Sequence, residues 1–108
     1  MTGEGQGPLT ETVYYTLLAL QEPMHGYGIM QRVYEMSAGR VSIGPGTLYG
    51  ALATLVERGL IEPVGEEGER KKVYAITSVG RAVVAREIER LEELVRAGHL
   101  VTGGSEER

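Results

Sequence analysis

Between Gly44 and Ile61 the chain reads Gly-Pro-Gly-Thr-Leu-Tyr-Gly-Ala-Leu-Ala-Thr-Leu-Val-Glu-Arg-Gly-Leu-Ile, and this run restricts the fold more than any other. Pro45 suits the first position of a helix, where its missing N–H is not needed and its φ is already helical. Leu48, Leu52 and Leu55 recur at helical spacing, and Ala51 and Val56 widen the stripe. Gly59 fits the left-handed residue that ends a helix, with Leu60 placed to pack back on the last turn and to open a strand. The run therefore predicts a short helix with one buried side. Its other side carries Gly46, Thr47, Tyr49, Gly50, Ala53 and Thr54, which are small or hydroxylated apart from one aromatic ring. Such a face permits close approach and offers hydrogen bonds at the contact. Two readings fit it: a helix that lies in the major groove of DNA, or an ordinary surface helix low in charge.

The flanking segments supply the architecture. Residues 1–8 are Gly-rich and polar and predict a flexible lead-in. Thr10 is a good N-cap, with Glu11 in the first turn. Val13, Leu17 and Leu20, flanked by Tyr14 and Leu18, make the stripe of a first helix over 10–21, which Pro23 stops. Residues 24–28 form a turn into a second helix, with Ile29, Met30, Val33 and Tyr34 on its buried side and Ser37-Ala38-Gly39 at its end. Residues 61–64 and 70–76 predict two strands of a hairpin around a turn rich in Gly and Glu.

Thr77 then caps a long fourth helix. Its Val84, Ile88, Leu91 and Val95 alternate steps of four and three, the spacing of a coiled-coil seam. Arg86, Glu89, Arg90, Glu92, Glu93 and Arg96 supply helix-spaced ion pairs around it. A helix at the end of so small a domain has little core left to cover. The seam therefore predicts a second copy of the chain as its partner. Packing against the first helix of the same chain is the alternative. Residues 98–108 predict a disordered polar tail. The expected fold is mainly α with a small β-hairpin: a winged helix-turn-helix over 9–77, its second and third helices forming the reading pair and its hairpin the wing, then a dimerisation helix over 78–97.

Composition excludes several functions. The 108 residues suffice for one domain. The lack of Cys rules out disulfides and thiolate metal sites and fits a reducing compartment. The N-terminus has neither the basic start nor the apolar run of a signal peptide, and no apolar run reaches membrane length. These features predict a cytoplasmic protein with no membrane partner. With no Asp and only His25 and His99 as imidazoles, no nucleophile–base pair or metal cluster can be assembled, so neither an enzyme, a metal nor another cofactor is expected. His25 is read as a turn residue at the start of the second helix, and Tyr27 and Tyr34 as packing residues. Gly44-x-Gly46-Thr47 lacks the Lys of a P-loop and the spacing of a dinucleotide fingerprint, so it is read as a turn.

The net charge of -4 argues against nucleic acid as a partner, but binding depends on where the basic residues sit. Arg70, Lys71 and Lys72 stand together on the returning strand, where a wing would meet DNA phosphates. In an extended strand Arg70 and Lys72 share a face and Lys71 points away. The competing reading is a solvated charge run neutralised by Glu66, Glu67 and Glu69. Thr47 and Tyr49, at the start of the third helix, have hydroxyls able to meet bases or phosphates. The alternatives are a local cap for Thr47 and packing for Tyr49.

Four segments in order resemble the PadR-like transcriptional regulators. His25-Gly26-Tyr27-x-Ile29 resembles the family's opening of helix two. Gly46-Thr47-Leu48-Tyr49-x-Ala51-Leu52-x-x-Leu55 resembles the motif that starts its recognition helix. Glu57-x-Gly59-Leu60-Ile61 is similar to the segment leaving that helix, and Arg70-Lys71-Lys72-Val73-Tyr74-x-Ile76-Thr77-x-x-Gly80-Arg81 to the wing strand and the next helix. The resemblance runs from about Leu9 to Leu94 and, with a single C-terminal helix, is to the short subfamily. It implies a homodimer held by the first and last helices, here through Val13, Leu17, Val84, Ile88, Leu91 and Val95. It also implies a repressor that leaves a roughly palindromic double-stranded DNA operator when a small aromatic or drug-like effector binds. The DNA contacts would come from Thr47, Tyr49, Gly50, Ala53, Thr54, Arg70, Lys71 and Lys72.

Tyr14 and Tyr15 stand where relatives line an effector pocket; a small apolar dimer core is the other reading of that position. Two departures stand out. Many members carry basic residues where this chain has Ala53 and Thr54, and many have Pro at the position of Gly50, which shifts phosphate contact toward the wing. The chain has no Trp, so no pair of indoles is available to sandwich a flat ligand. The alternative function is a winged-helix protein-interaction module that does not bind DNA.

Overall fold

Three of the four helices begin at the residue that the sequence marks for it. The computed structural model describes residues 7–65 and 72–103. Thr10 caps α1 (Glu11–Ala19), its hydroxyl oxygen accepting the Val13 N–H at 3.1 Å. Pro45 opens α3 (Pro45–Glu57). Thr77 caps α4 (Ser78–Thr102) by accepting the Gly80 N–H at 3.0 Å, and the same hydroxyl donates to the Gly59 carbonyl at 2.7 Å. One side chain thus ties the end of α3 to the start of α4. The remaining helix, α2 (Gly26–Met36), follows His25, whose side chain makes no cap.

The hairpin consists of β2 (Ile61–Val64) and β3 (Val73–Ile76), antiparallel with Ile61 opposite Ile76 and Val64 opposite Val73. A third strand, β1 (Met24–His25), pairs with the other edge of β3, Met24 opposite Tyr74, giving the order β1-β3-β2. The expected turn at 24–25 is therefore a short strand. The preceding helix already ends at Ala19, before the expected residue 21, with Leu20 at its C-cap, and Pro23 keeps the chain from resuming it. Pairing at this point satisfies backbone groups on an edge of β3 that would otherwise stay open.

The core forms where the helical stripes converge on the sheet. Leu17, Leu20, Ile29, Val33, Leu48, Leu52, Leu55, Leu60 and Ile61 are almost wholly removed from solvent, each contributing about 1.5–3 kcal/mol of burial. Tyr27 and Tyr34 are not among them. Both are exposed, and Tyr34 lies over Gly39 after the end of α2. The backbone there turns left-handed at Ala38 and Gly39.

Only the first part of α4 serves this core, through Gly80, Val83, Val84 and Glu87. The helix then continues past 97, where the sequence reading ends it, through Gly98 to Thr102. Gly98 is tolerated inside it, at a cost of about 1 kcal/mol relative to Ala. The actual stop is Gly103, which takes the left-handed conformation and donates its N–H to the His99 carbonyl at 2.7 Å.

Two residues assigned from sequence to a dimer seam are placed differently. Leu17 and Val84 are buried in the core of their own protomer, at 0% and 6% exposure. The i, i+4 spacing is the same for a core stripe and a seam, so periodicity could not separate them.

Candidate nucleic-acid interface

The buried stripe of α3 fixes which residues the helix shows to solvent. With Leu48, Leu52 and Leu55 locked in the core, Gly46, Thr47, Tyr49, Gly50, Ala53 and Thr54 are all exposed. The helix ends in a complete Schellman motif. Gly59 is left-handed at φ 77°, its N–H donates to Val56 O at 3.0 Å, and the Leu60 N–H donates to Leu55 O at 3.0 Å. This closure holds the last turn rigid and delivers Leu60 and Ile61 into the core and the hairpin.

Tyr49 is 49% exposed and lies between the two roles proposed from sequence. The end of its ring reaches across to Gly26, the first residue of α2. Thr47 is exposed, and Gly44 caps α3 without a side-chain hydrogen bond, so the Thr47 side chain is not engaged as the N-cap. No side-chain cap hydrogen bond is made at the starts of α2 and α3, whereas Thr10 and Thr77 each cap one first-turn N–H of α1 and α4.

At the foot of the wing Lys72 is exposed immediately before β3. Arg70 and Lys71 lie outside the described residues, as do Glu66, Glu67 and Glu69. Arg58, at the C-cap of α3, and Arg32 on α2 are further exposed cations that the sequence reading did not single out. Neither sits in a run of basic residues, so only their place in the fold marks them.

A second feature lies on the opposite part of the chain, between α1 and the distal half of α4. Tyr14, Ile88, Leu91, Glu92, Val95, Arg96 and His99 line an open groove of about 620 Å³. The structure thus brings one tyrosine assigned to a pocket together with three residues assigned to a seam. Val13 is half-buried beside the core. Tyr15 is not in the groove lining; its ring meets that of Tyr14 edge-on, with centroids 6.1 Å apart at 64°. Sequence reasoning missed the groove's polar members. Glu92, Arg96 and His99 follow the seam at helical spacing, and His99 had been assigned to the tail.

Beneath this groove Glu87 is 6% exposed and is held by Arg90, with Nε to Oε1 at 3.0 Å and Nη2 to Oε2 at 2.5 Å. The Arg90 hydrogen bonds hold its carboxyl below the ordinary carboxylate value, against burial, which pushes it up; the Leu9 backbone N–H adds to the lowering. Both members of this bidentate pair lie on α4, and the Leu9 N–H brings the residue just before the α1 cap to the same carboxylate. Among the described residues no cluster of His, Cys, Asp or Glu converges to hold a metal, and no helix is long and apolar enough to cross a membrane.

Comparison with known proteins matches this arrangement. The model of the transcriptional regulator PadR-like family matches residues 14–86. A transcriptional regulator of Mycobacterium tuberculosis is 35% identical over 80 residues, covering 72% of this chain and 72% of that protein. A 37.1 kDa protein in transposon TN4556 of Streptomyces fradiae is 39% identical over 72 residues, and this stretch is 67% of the present chain but only 20% of that protein. Among solved structures, a transcriptional regulator from Clostridium thermocellum superposes with a TM-score of 0.66 at 27% identity, covering 82% of this chain and 87% of that one. With the family match spanning the helix-turn-helix, the wing and the start of α4, the chain belongs to the PadR-like family of transcriptional regulators.

Proposed function

We propose that the protein is a homodimeric DNA-binding repressor of the short PadR-like subfamily, released from its operator by a small molecule. The observation that carries the DNA reading is the exposed face of α3. It holds small and hydroxylated side chains with no acidic group from Gly46 to Thr54, at the position of a recognition helix, and Lys72 of the wing is exposed as well. Close approach to base edges needs such a face. Thr47, Tyr49 and Thr54 supply hydroxyls, Gly50 and Ala53 supply clearance, and the N–H groups at the starts of α2 and α3 suit phosphate oxygens. Arg70 and Lys71 join Lys72 in neutralising the backbone. Two copies of α3 then enter successive major grooves, about 34 Å apart.

The groove between α1 and α4 supports the dimer and effector readings. Ile88, Leu91 and Val95, with Val13, receive α4 of a second copy. An aromatic or drug-like effector held beside Tyr14, with polar ends toward Glu92, Arg96 and His99, changes the angle between the two reading heads. Effector and operator then favour different dimer geometries, which is the requirement for coupling.

The test is binding to the DNA upstream of the protein's own gene against a scrambled duplex, across a salt series. Sequence-preferring binding that weakens steeply with salt is expected. Lys72→Ala should lower the slope by about one per subunit, and Tyr49→Ala should weaken binding with fold and dimer intact. Equal, weak binding to both duplexes, with an empty genome-wide selection for bound fragments, would replace this function with that of a protein-interaction module.

A further inference from the structure

The contact between Tyr49 and Gly26 joins two segments that are 23 positions apart and that sequence reading treats separately. Gly26 is buried at the first position of α2, and Tyr49 crosses to it from α3. A Cβ built on Gly26 would overlap the Tyr49 hydroxyl oxygen and stand 2.7 Å from Cζ and 3.1 Å from Cε1. Nothing in the backbone asks for glycine here. Gly26 is helical, its φ is not among the positive ones, and within a helix alanine is better than glycine by about 1 kcal/mol. The end of the phenol ring occupies the space that a side chain at residue 26 would take. Among the described residues the Tyr49 hydroxyl forms no side-chain hydrogen bond, so it is held in place by shape with its donor free.

We infer that Gly26 is the positioning residue for Tyr49 in operator binding: the absent Cβ is a seat that holds the phenol over the start of α2 and aims its hydroxyl at the DNA backbone. The inference rests on the DNA-binding reading. It gives Gly26 a role in affinity although the residue is buried and touches no DNA itself. A ring already in place loses no rotamer freedom when the operator arrives.

A double-mutant cycle tests it with two readouts, operator affinity and urea unfolding without DNA. The proteins are the wild type, Gly26→Ala, Tyr49→Ala, the double variant and Tyr49→Phe. Tyr49→Ala and Gly26→Ala should each weaken operator binding about tenfold, the effect of losing one hydrogen bond to a charged acceptor. The double variant should bind no worse than Tyr49→Ala, because the alanine methyl then has no ring to displace. In unfolding, Gly26→Ala should lower the midpoint when Tyr49 is present and raise it when residue 49 is alanine. Tyr49→Phe keeps the ring and should lose affinity like Tyr49→Ala.

A Gly26→Ala protein that binds like the wild type overturns the inference, as does one whose loss persists undiminished in the Tyr49→Ala background. A Tyr49→Phe protein of normal affinity overturns the role of the hydroxyl. If the wild type binds no operator while the unfolding cycle still shows coupling, the DNA reading has failed and the seat is only a packing contact. If unfolding shows no coupling while the wild type binds, the seat itself is wrong and the DNA reading stands.

Discussion

At the scale of single residues, this protein uses side-chain absence as deliberately as side-chain chemistry. A Cβ on Gly80 would overlap the carbonyl oxygen of Leu60 and come within 2.7 Å of Ile76 Cγ1, so α4 can meet the start of β2 only with glycine there. The Thr77 N–H donates to the same Leu60 carbonyl at 3.0 Å, which closes the junction. Glu87 shows the opposite case, a charge kept inside because it is paired. Its folded value is depressed, chiefly by Arg90, so its stabilising contribution is present above the ordinary value of 4.5 and is lost as the pH falls through the folded value. Glu87→Gln should therefore destabilise the protein at neutral pH, and the gap from the wild type should close as the pH drops below 4.5. Urea unfolding of both proteins across pH measures this. A gap independent of pH would mean the carboxylate charge contributes nothing.

At the scale of elements, α4 has two halves with different duties. As far as Glu87 it is part of the domain core. Beyond that, Leu94, Val95, Leu100 and Val101 remain exposed on a helix of 25 residues, a length of about 37 Å. This apolar surface extends past any core of its own chain, which is the physical case for a second copy. Val95 is 55% exposed, so a charge there is accommodated in the isolated chain but not in a buried seam. Val95→Glu should leave the helical content and unfolding of the protomer nearly unchanged while shifting sedimentation from dimer to monomer. A dimer that survives this change would place the interface elsewhere on the chain. The third helix is the contrasting element: it is short, started by Pro45 and stopped by Gly59, and it is held to the core chiefly by three buried leucines.

At the scale of the whole molecule, a net charge of -4 has to coexist with binding a polyanion. The distribution makes that possible. The face of α3 is free of charge from Gly46 to Thr54, Lys72 is exposed at the foot of the wing, and carboxylates such as Glu89, Glu92 and Glu93 are carried on α4. In the proposed dimer affinity depends on two reading heads acting together, because one uncharged helix makes few phosphate contacts. Inserting about half a helical turn, ~5 base pairs, between the operator half-sites should rotate one head off its groove and abolish tight binding. Inserting a further ~5 base pairs restores the facing but lengthens the span, and recovery is expected only if the dimer hinge can open. Competition binding with the altered duplexes measures both, and equal affinity for all spacings would indicate that each chain binds alone.

The sequence by itself determined what is decided within one or two turns of chain. The caps at Thr10 and Thr77, the start at Pro45, the left-handed stop at Gly59 and the exposed face of α3 all follow from residues no more than about four positions apart. The order of elements, and with it the winged helix-turn-helix, was legible for the same reason. What only the tertiary structure decided involves residues far apart in sequence. Val84 and Leu17 carry the same periodicity as Ile88 and Val95, yet the packing of α1 against α4 buries the first pair and leaves the second open. Met24 and His25 became a strand because β3 had a free edge, a fact stored some fifty residues away. The extension of α4 through Gly98 and the seat of Tyr49 on Gly26 are of the same kind. Hydrophobic spacing states that a face is buried; what buries it is settled only when distant elements compete for the same surface.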